Sequence, residues 1–227
     1  MIRKSWWKLL SFVLLLYTCT YGFLVPVPSP AGVPLQETIR NLFFHFPMWI
    51  GMMVCYTVSI VYSVRFLRKP SLVNDIYAKE YAITGTVFGV LGLITGMIWA
   101  NYQWGKAWSG DPKQNGAAIA ILIYFAYFVL RGSLQDESKK ARIGAVYNVF
   151  AYFMLFPCIW ILPRLTESLH PGGRGTEGNP GLNPKDTTNA MRSVMYPAAL
   201  GWTLLCVWIA TLRIRVQLLQ EKKLTHE

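Results

Sequence analysis

Two histidines in this 227-residue chain stand where they could bind a metal or a metal-containing group. His45 lies in the segment FFHFP and His170 in the segment ESLHPGG, while the third histidine, His226, sits in a charged C-terminal tail where we expect it to be solvated. Neutral imidazole is a good axial ligand for haem iron, and two histidines far apart in sequence can approach opposite faces of one porphyrin. A lone histidine is more often a polar anchor, so residue type alone leaves both interpretations open.

The segment WGKAWSGDP, residues 104–112, combines aromatic rings with a carboxylate. Trp104 and Trp108 offer flat apolar area with one N–H donor each, which suits a membrane interface or a porphyrin platform. Asp111, directly before Pro112, is equally well suited to cap the helix that follows. Cations near these segments could pair with haem propionates, and the sequence does not choose among them: Lys106, Lys113, Arg164 and Arg174.

The composition indicates a membrane protein. Apolar residues make up 53% of the chain and the mean hydropathy is +0.33. The net charge of +11 comes from basic residues that flank apolar runs and are not gathered on one soluble face. This distribution is typical of a polytopic membrane protein and argues against a nucleic-acid partner.

We predict an all-α fold, a bundle of six transmembrane helices forming a single domain over residues 1–227. A span needs about 20 apolar residues, and helices are favoured because lipid offers no partners to open backbone groups. No predicted span carries a charge at its centre, and the fourth, which is short, could extend to Leu134. The spans are Trp6–Val27, Phe46–Val64, Tyr81–Tyr102, Gly116–Leu130, Ile143–Leu162 and Val194–Leu212.

The distribution of Lys and Arg predicts that both termini are cytoplasmic. The termini and the loops after spans two and four carry 15 of these residues, and the other three loops carry seven. His45, the tryptophan segment and His170 then share the outer face. The first span, with its basic start and the following PSPAG, could instead be a cleaved signal peptide, but its apolar run is long for one and a retained helix is favoured. The outer loop over 171–186, rich in Gly, Pro and Asn, is expected to lack regular structure.

The four cysteines give no sign of metal binding or of covalent haem attachment. Cys19, Cys55, Cys158 and Cys206 all lie in apolar runs, and neither CxxC nor CxxCH occurs. We interpret them as small apolar residues that fill helix contacts. The chain is therefore not itself a c-type cytochrome.

Three segments together resemble the CcmC/CcsA family of haem-handling membrane proteins of cytochrome c maturation. The segment WGKAWSGDPKQNGAAIAILIYFAYFVLRGSL is similar to the family's tryptophan-rich signature, and NLFFHFPMWIGMM and LTESLHPGG are similar to its two outer histidine segments. The likeness runs from Trp7 to Leu212. The length and the six spans are closer to the CcmC (heme exporter protein C) branch than to the larger synthetase and lyase members.

The resemblance implies a haem-binding and transfer protein more than a conventional enzyme. Haem b would be held without covalent bonds at the outer face of the bacterial cytoplasmic (inner) membrane, with His45 and His170 as axial ligands of the iron. Trp104, Trp108 and Asp111 would belong to the platform for haem and its acceptor. The implied partners are the periplasmic haem chaperone CcmE, an ATP-binding cassette complex of CcmA and CcmB, and a small accessory membrane subunit.

The tryptophan segment departs from the family pattern at several positions. Ala107 stands where a tryptophan is common, and Gly110 stands before the aspartate where another often occurs. KQNG, residues 113–116, replaces a frequent Arg-Leu or Lys-Leu pair. These changes reduce the aromatic area available to a porphyrin and leave both histidines in place.

Three other functions compete with haem delivery. An electron-transfer cytochrome b would bury histidine pairs inside its spans, and no span has a histidine in its interior. A coupled transporter would keep ionisable groups at membrane depth, where Asn148 is among the most polar residues here. A haem lyase attaching haem directly to apocytochrome c is the nearest competitor, although such proteins have more spans or a large outer domain.

Overall fold

The computed structural model describes residues 5–27, 36–170 and 187–224, and this part of the chain is helical with no strand. Six helical segments are long and apolar enough to cross a membrane, α5 and its continuation counting as one. The predicted all-α, six-span membrane fold is therefore confirmed. The helices are α1 (Trp6–Leu24), α2 (Leu42–Arg68), α3 (Leu72–Trp104), α4 (Pro112–Ser133), α5 (Glu137–Leu155), α6 (Leu162–Leu165) and α7 (Asn189–Leu224), with a 3₁₀ helix at Gln36–Asn41 and a π-helical turn at Phe156–Ile161.

The helix ends differ from the predicted span ends for identifiable reasons. Most helices extend beyond the predicted apolar span, as α3 does, because their backbone hydrogen bonds continue into polar surroundings. The first helix is shorter than predicted: it ends at Leu24 and not at Val27. There the Arg40 guanidinium donates to the carbonyls of Gly22 and Val25 at 2.9 and 2.8 Å, which satisfies the end of α1. Pro157 lacks the N–H that a regular helix needs and lies in the π-helical turn.

Helices α2 and α3 run antiparallel and pack closely along a row of glycines. Each glycine of α3 faces a large side chain of α2, and a Cβ added to any of them would come within 2.8 to 3.0 Å of that side chain. Small residues let helix backbones approach in this way. The pairs are Gly85 with Tyr56, Gly89 with Met52, Gly92 with Trp49 and Gly96 with His45.

The remaining helices surround this pair. α2 also contacts α5 and α7, and α4 packs on α5. α1 packs against α7, where Ser11 Oγ donates to the Gly201 carbonyl at 3.0 Å and the Trp7 and Trp208 rings meet edge to face at 6.4 Å.

The two ends of the bundle differ in chemistry. One end, here called the loop end, carries residues 36–41, 105–111 and 166–170. At the opposite end, ion pairs join the helices: Arg131 contacts Asp75 through two 2.7 Å bonds, and the exposed Arg213 contacts the buried Glu80 at 2.7 Å. These pairs fix α4 and α7 against α3 below the loop end.

Polar groups at membrane depth have a structural explanation. The buried Asn148 amide donates to Ser59 Oγ and Ser63 Oγ at 2.7 and 2.8 Å, which links α5 to α2. The described spans keep charged residues away from their centres, as predicted. Cys55, Cys158 and Cys206 are buried, which agrees with their interpretation as apolar fillers of helix contacts, whereas Cys19 is exposed on α1; none of the four forms a disulfide.

Filling the glycine row should destabilise the bundle. Tyr56, the neighbour of Gly85, is fully buried and stacks on Tyr124 at 3.6 Å, so it has no room to move. We expect Gly85→Val to cost about 1 to 3 kcal/mol through overpacking and to lower the thermal unfolding midpoint of the detergent-purified protein. Gly132→Ala is the control, because a Cβ there meets no atom within 4 Å. Equal midpoints for the two variants would contradict close α2–α3 packing.

Candidate functional site

A cavity of about 330 Å³ opens at the loop end, and both predicted histidines, His45 and His170, line it. Its volume lies within the range of small-molecule sites, and its walls are largely apolar with a few polar groups. Aromatic walls come from α2, α3 and the π-helical turn, and cations from α4 and α6. These further lining residues are Trp49, Trp99, Trp160, Lys113 and Arg164.

His45 is held in one tautomer by α3. It lies in the first turn of α2, and its Nδ1 is 3.0 Å from the Gly92 carbonyl and 3.2 Å from Thr95 Oγ1. A carbonyl oxygen only accepts, and the Thr95 hydroxyl donates its proton to backbone carbonyls, including that of Leu91. Nδ1 therefore carries the proton, and Nε2 carries the lone pair that could bind a metal.

Trp49, one helical turn after His45, contacts this lone pair. Its indole N–H donates to His45 Nε2 at 3.2 Å, and the two rings meet nearly at right angles. Sequence reasoning missed this residue. The signal was the spacing of four between His45 and Trp49, which puts two residues on one face of a helix.

Asp111 holds His170 in the corresponding tautomer. The Asp111 side chain is fully buried, and its Oδ1 accepts from His170 Nδ1 at 2.9 Å. His170 Nδ1 thus carries the proton and Nε2 the lone pair. Within the described part of the chain, Nε2 has no hydrogen-bond partner, in contrast to His45.

The other contacts of Asp111 join two loops. Its Oδ2 accepts from the Leu169 N–H at 2.7 Å and from Ser168 Oγ at 2.8 Å. Oδ1 also accepts from the Lys113 N–H at 2.9 Å, so the predicted helix cap of α4 is confirmed. Burial alone would raise the pKa of Asp111, but the hydrogen bonds from His170, Lys113 and Ser168 hold it below its usual range. The carboxylate is ionised at neutral pH.

The two predicted tryptophans have different surroundings. Trp104, in the last turn of α3, meets the His170 ring edge to face at 4.9 Å and the Trp99 ring at 5.4 Å. Neither of the two lines the cavity itself, and Trp108 is 43% exposed. The chain turns at Gly105, directly after Trp104, and again at Gly110, directly before Asp111. Their φ values of 70° and 77° favour glycine.

The KQNG segment fixes this turn. Gln114 is buried, its Oε1 accepts from Ser109 N–H and Oγ at 3.0 and 2.9 Å, and its Nε2 donates to the Ala107 carbonyl at 3.1 Å. Asn115 donates to the Gly110 carbonyl at 2.9 Å. The departures from the family pattern therefore reduce aromatic area but supply the polar groups that shape the loop.

Two of the four candidate cations reach the cavity. Lys113 and Arg164 line it, and the Arg164 guanidinium also lies over the Trp160 ring at 5.3 Å. Lys106 is exposed and is not among the lining residues. Arg174 and His226, with the loop over 171–186, lie outside the described residues.

The sequence as a whole matches the family model described as heme exporter protein C over residues 2–227. This chain belongs to the heme exporter protein C family. The predicted resemblance is thereby confirmed.

Individual members of the family and its CcsA relatives match to different extents. The heme exporter protein C of Paracoccus denitrificans is 24% identical over 87% of this chain and 79% of its own length. That of Bradyrhizobium diazoefficiens is 30% identical over 53% of this chain and 46% of its own length. The cytochrome c biogenesis protein CcsA of Prochlorococcus marinus strain MED4 is 33% identical over 52% of this chain but only 36% of its own length. The likeness to the larger CcsA protein is thus confined to about a third of that protein.

Removing the Asp111 carboxylate should release the segment that carries His170. We expect Asp111→Ala to speed amide hydrogen exchange of Leu169 about tenfold or more, because a hydrogen bond to a charged acceptor is lost. The measurement is hydrogen exchange read by mass spectrometry on peptides covering 166–170. Asp136→Ala is the control, since Asp136 caps α5 through contacts with its own helix only. Unchanged exchange in Asp111→Ala would contradict this anchoring role.

Proposed function

We propose that this protein binds haem b at the loop end and delivers it to a periplasmic acceptor, the haem chaperone CcmE, during cytochrome c biogenesis. The observation that carries the proposal is the pairing of His45 and His170 on one cavity, each with Nδ1 held by an acceptor and the lone pair on Nε2. This is the form of imidazole that binds iron, with the second nitrogen oriented by a hydrogen bond.

The other lining groups also fit haem. Trp49, Trp99 and Trp160 supply flat apolar walls, and Arg164 and Lys113 supply positive charge suited to propionates. Iron provides the Lewis acid that two imidazoles can coordinate. The protein contributes orientation of those imidazoles, apolar contact with the porphyrin and pairing of its carboxylates.

The positions of the cysteines support binding without covalent attachment. Cys55, Cys158 and Cys206 are buried within the bundle, and Cys19 is exposed on α1. None of the four lines the cavity. The cargo is then free to leave, as delivery requires.

Delivery needs an exposed route to an acceptor. The cavity opens at the loop end, where Trp108 lies exposed beside Asp111 and the turn at Gly110. Exposed tryptophan is enriched where proteins bind each other. We assign Trp108 to the surface that meets the acceptor and Trp104, which contacts His170, to the haem platform.

The orientation follows from charge. The end of the bundle opposite the loop end holds most of the Lys and Arg residues, including Arg131 and Arg213, which favours a cytoplasmic location for it and for both termini. The loop end would then face the periplasm from the inner membrane. A complex of CcmA and CcmB and a small accessory subunit complete the proposed set of partners.

A haem lyase that attaches haem directly to apocytochrome c is the alternative, favoured by the partial likeness to CcsA proteins. The two functions differ in the acceptor. Attachment of haem to apocytochrome c by the purified protein with no chaperone would support the lyase, and transfer that requires CcmE would support delivery.

The haem site is tested by its spectrum. We expect the purified protein to carry low-spin, six-coordinate ferric haem, and His45→Ala and His170→Ala each to lose most of it or to become five-coordinate, because one axial ligand is gone. His226→Ala is the matched control and should leave both the haem content and the spectrum unchanged. Haem that is indifferent to both site variants would refute this ligand pair.

The acceptor surface is tested by transfer. We expect Trp108→Ala to retain its haem content and spectrum but to transfer haem to CcmE about tenfold more slowly or worse, since an exposed aromatic contact with the partner is removed. Trp6→Ala is the control, because Trp6 is also exposed but lies at the opposite end of the bundle. Transfer that matches the parent protein would remove Trp108 from the proposed surface.

A further inference from the structure

We propose that Trp49 regulates haem release by competing with iron for His45. This inference rests on the proposed function, because it concerns how the same site holds and frees its cargo. The indole N–H of Trp49 donates to His45 Nε2 at 3.2 Å. Trp49 thus acts as a positioning residue whose hydrogen bond must open before His45 can coordinate iron.

The competition follows from the chemistry of the two rings. Nδ1 of His45 donates to the Gly92 carbonyl, so Nε2 has the only lone pair that lies in the plane of the imidazole. The indole nitrogen can only donate. One lone pair serves either the indole N–H or an iron atom, and not both at once.

Trp49 lies at the wall of the cavity, with open space on one side of its ring only. Its ring lines the cavity on one side and packs on the other against Gly92, where an added Cβ would be 3.0 Å from the ring. When iron leaves, the N–H can return to Nε2 from the same helix face one turn away. A half-buried imidazole nitrogen is then not left without a partner, which would cost free energy.

The two histidines are unequal in this respect. His170 Nε2 has no hydrogen-bond partner within the described residues, and its Nδ1 is held by an ionised carboxylate. Nothing described has to be displaced there. The competition proposed at His45 therefore has no counterpart among the described residues around His170.

The first test measures haem dissociation from the full-length, detergent-purified protein into an excess of a haem-scavenging globin. Trp49→Phe keeps an aromatic ring and removes the N–H, and we expect dissociation to slow about fivefold, the effect of one net hydrogen bond. Trp202→Phe is the matched control: Trp202 lies in the α2–α3–α7 core and does not line the cavity. Its dissociation rate should equal that of the parent protein.

Two further arms separate competition for the lone pair from a change in cavity shape. Iron-free protoporphyrin IX cannot be coordinated, so its dissociation should be the same from Trp49→Phe and from the parent. In a His45→Ala background, Trp49→Phe should no longer slow haem release. Slower release of both porphyrins, or an effect that persists without His45, would overturn the proposal in favour of altered packing.

A third measurement needs no haem. Diethyl pyrocarbonate modifies unprotonated imidazole nitrogen, and the Trp49 N–H should shield His45 Nε2 from it. We expect faster modification of His45 in Trp49→Phe, read by peptide mass spectrometry, with Trp49→Leu as a second variant that also lacks the donor. Equal modification in both variants and the parent would refute the hydrogen bond itself.

The arms also distinguish failure of this inference from failure of the proposed function. A parent protein that never holds haem would refute haem delivery, whatever the modification rates show. A different result is haem binding that depends on His45, together with haem dissociation from Trp49→Phe that is as fast as from the parent protein, or faster. That result would overturn only the role of Trp49 and would not contradict haem delivery.

Discussion

The close contact of α2 with α3 is the constraint on which the site depends. Glycines at 92 and 96 of α3 let the α2 backbone approach until the His45 ring lies against α3 itself. Only at that separation can the Gly92 carbonyl accept from His45 Nδ1 and fix the tautomer. A Cβ at either glycine would lie 2.8 to 3.0 Å from the His45 or Trp49 ring, so it would displace the side chains that form the site. The same two glycines therefore determine both the helix packing and the tautomer of His45.

A second junction, centred on Asp111, does for His170 what the glycines do for His45. One buried carboxylate caps α4 and orients the imidazole, and it also binds the 168–169 backbone segment. The Asp111 carboxylate remains ionised because the hydrogen bonds that it accepts outweigh the cost of its burial. The ion pairs of Arg131 and Arg213 at the opposite end keep α4 and α7 in register with α3, so the loops that meet at Asp111 are carried by a fixed frame.

The sequence predicted the six spans because hydropathy is a local property that a run of apolar residues reveals by itself. It also singled out His45 and His170, since histidine is rare here and resemblance gave each a context. It could not pair Asp111 with His170, because 59 residues separate them and only the fold brings them together. Trp49 and the glycines of GLITG were readable from spacings of four, but those spacings carry meaning only once α2 is known to face α3.

The two imidazoles differ in the group next to them, and that difference fits the proposed delivery of haem. An ionised carboxylate that accepts from His170 Nδ1 makes Nε2 a better electron-pair donor to a metal. At His45 the neutral carbonyl of Gly92 gives weaker support, and the Trp49 N–H occupies the nitrogen that a metal would need. A site with two carboxylate-supported ligands would favour retention of its cargo. Under the proposed function, one strong and one contested ligand would place the site between binding and release, as delivery to an acceptor requires.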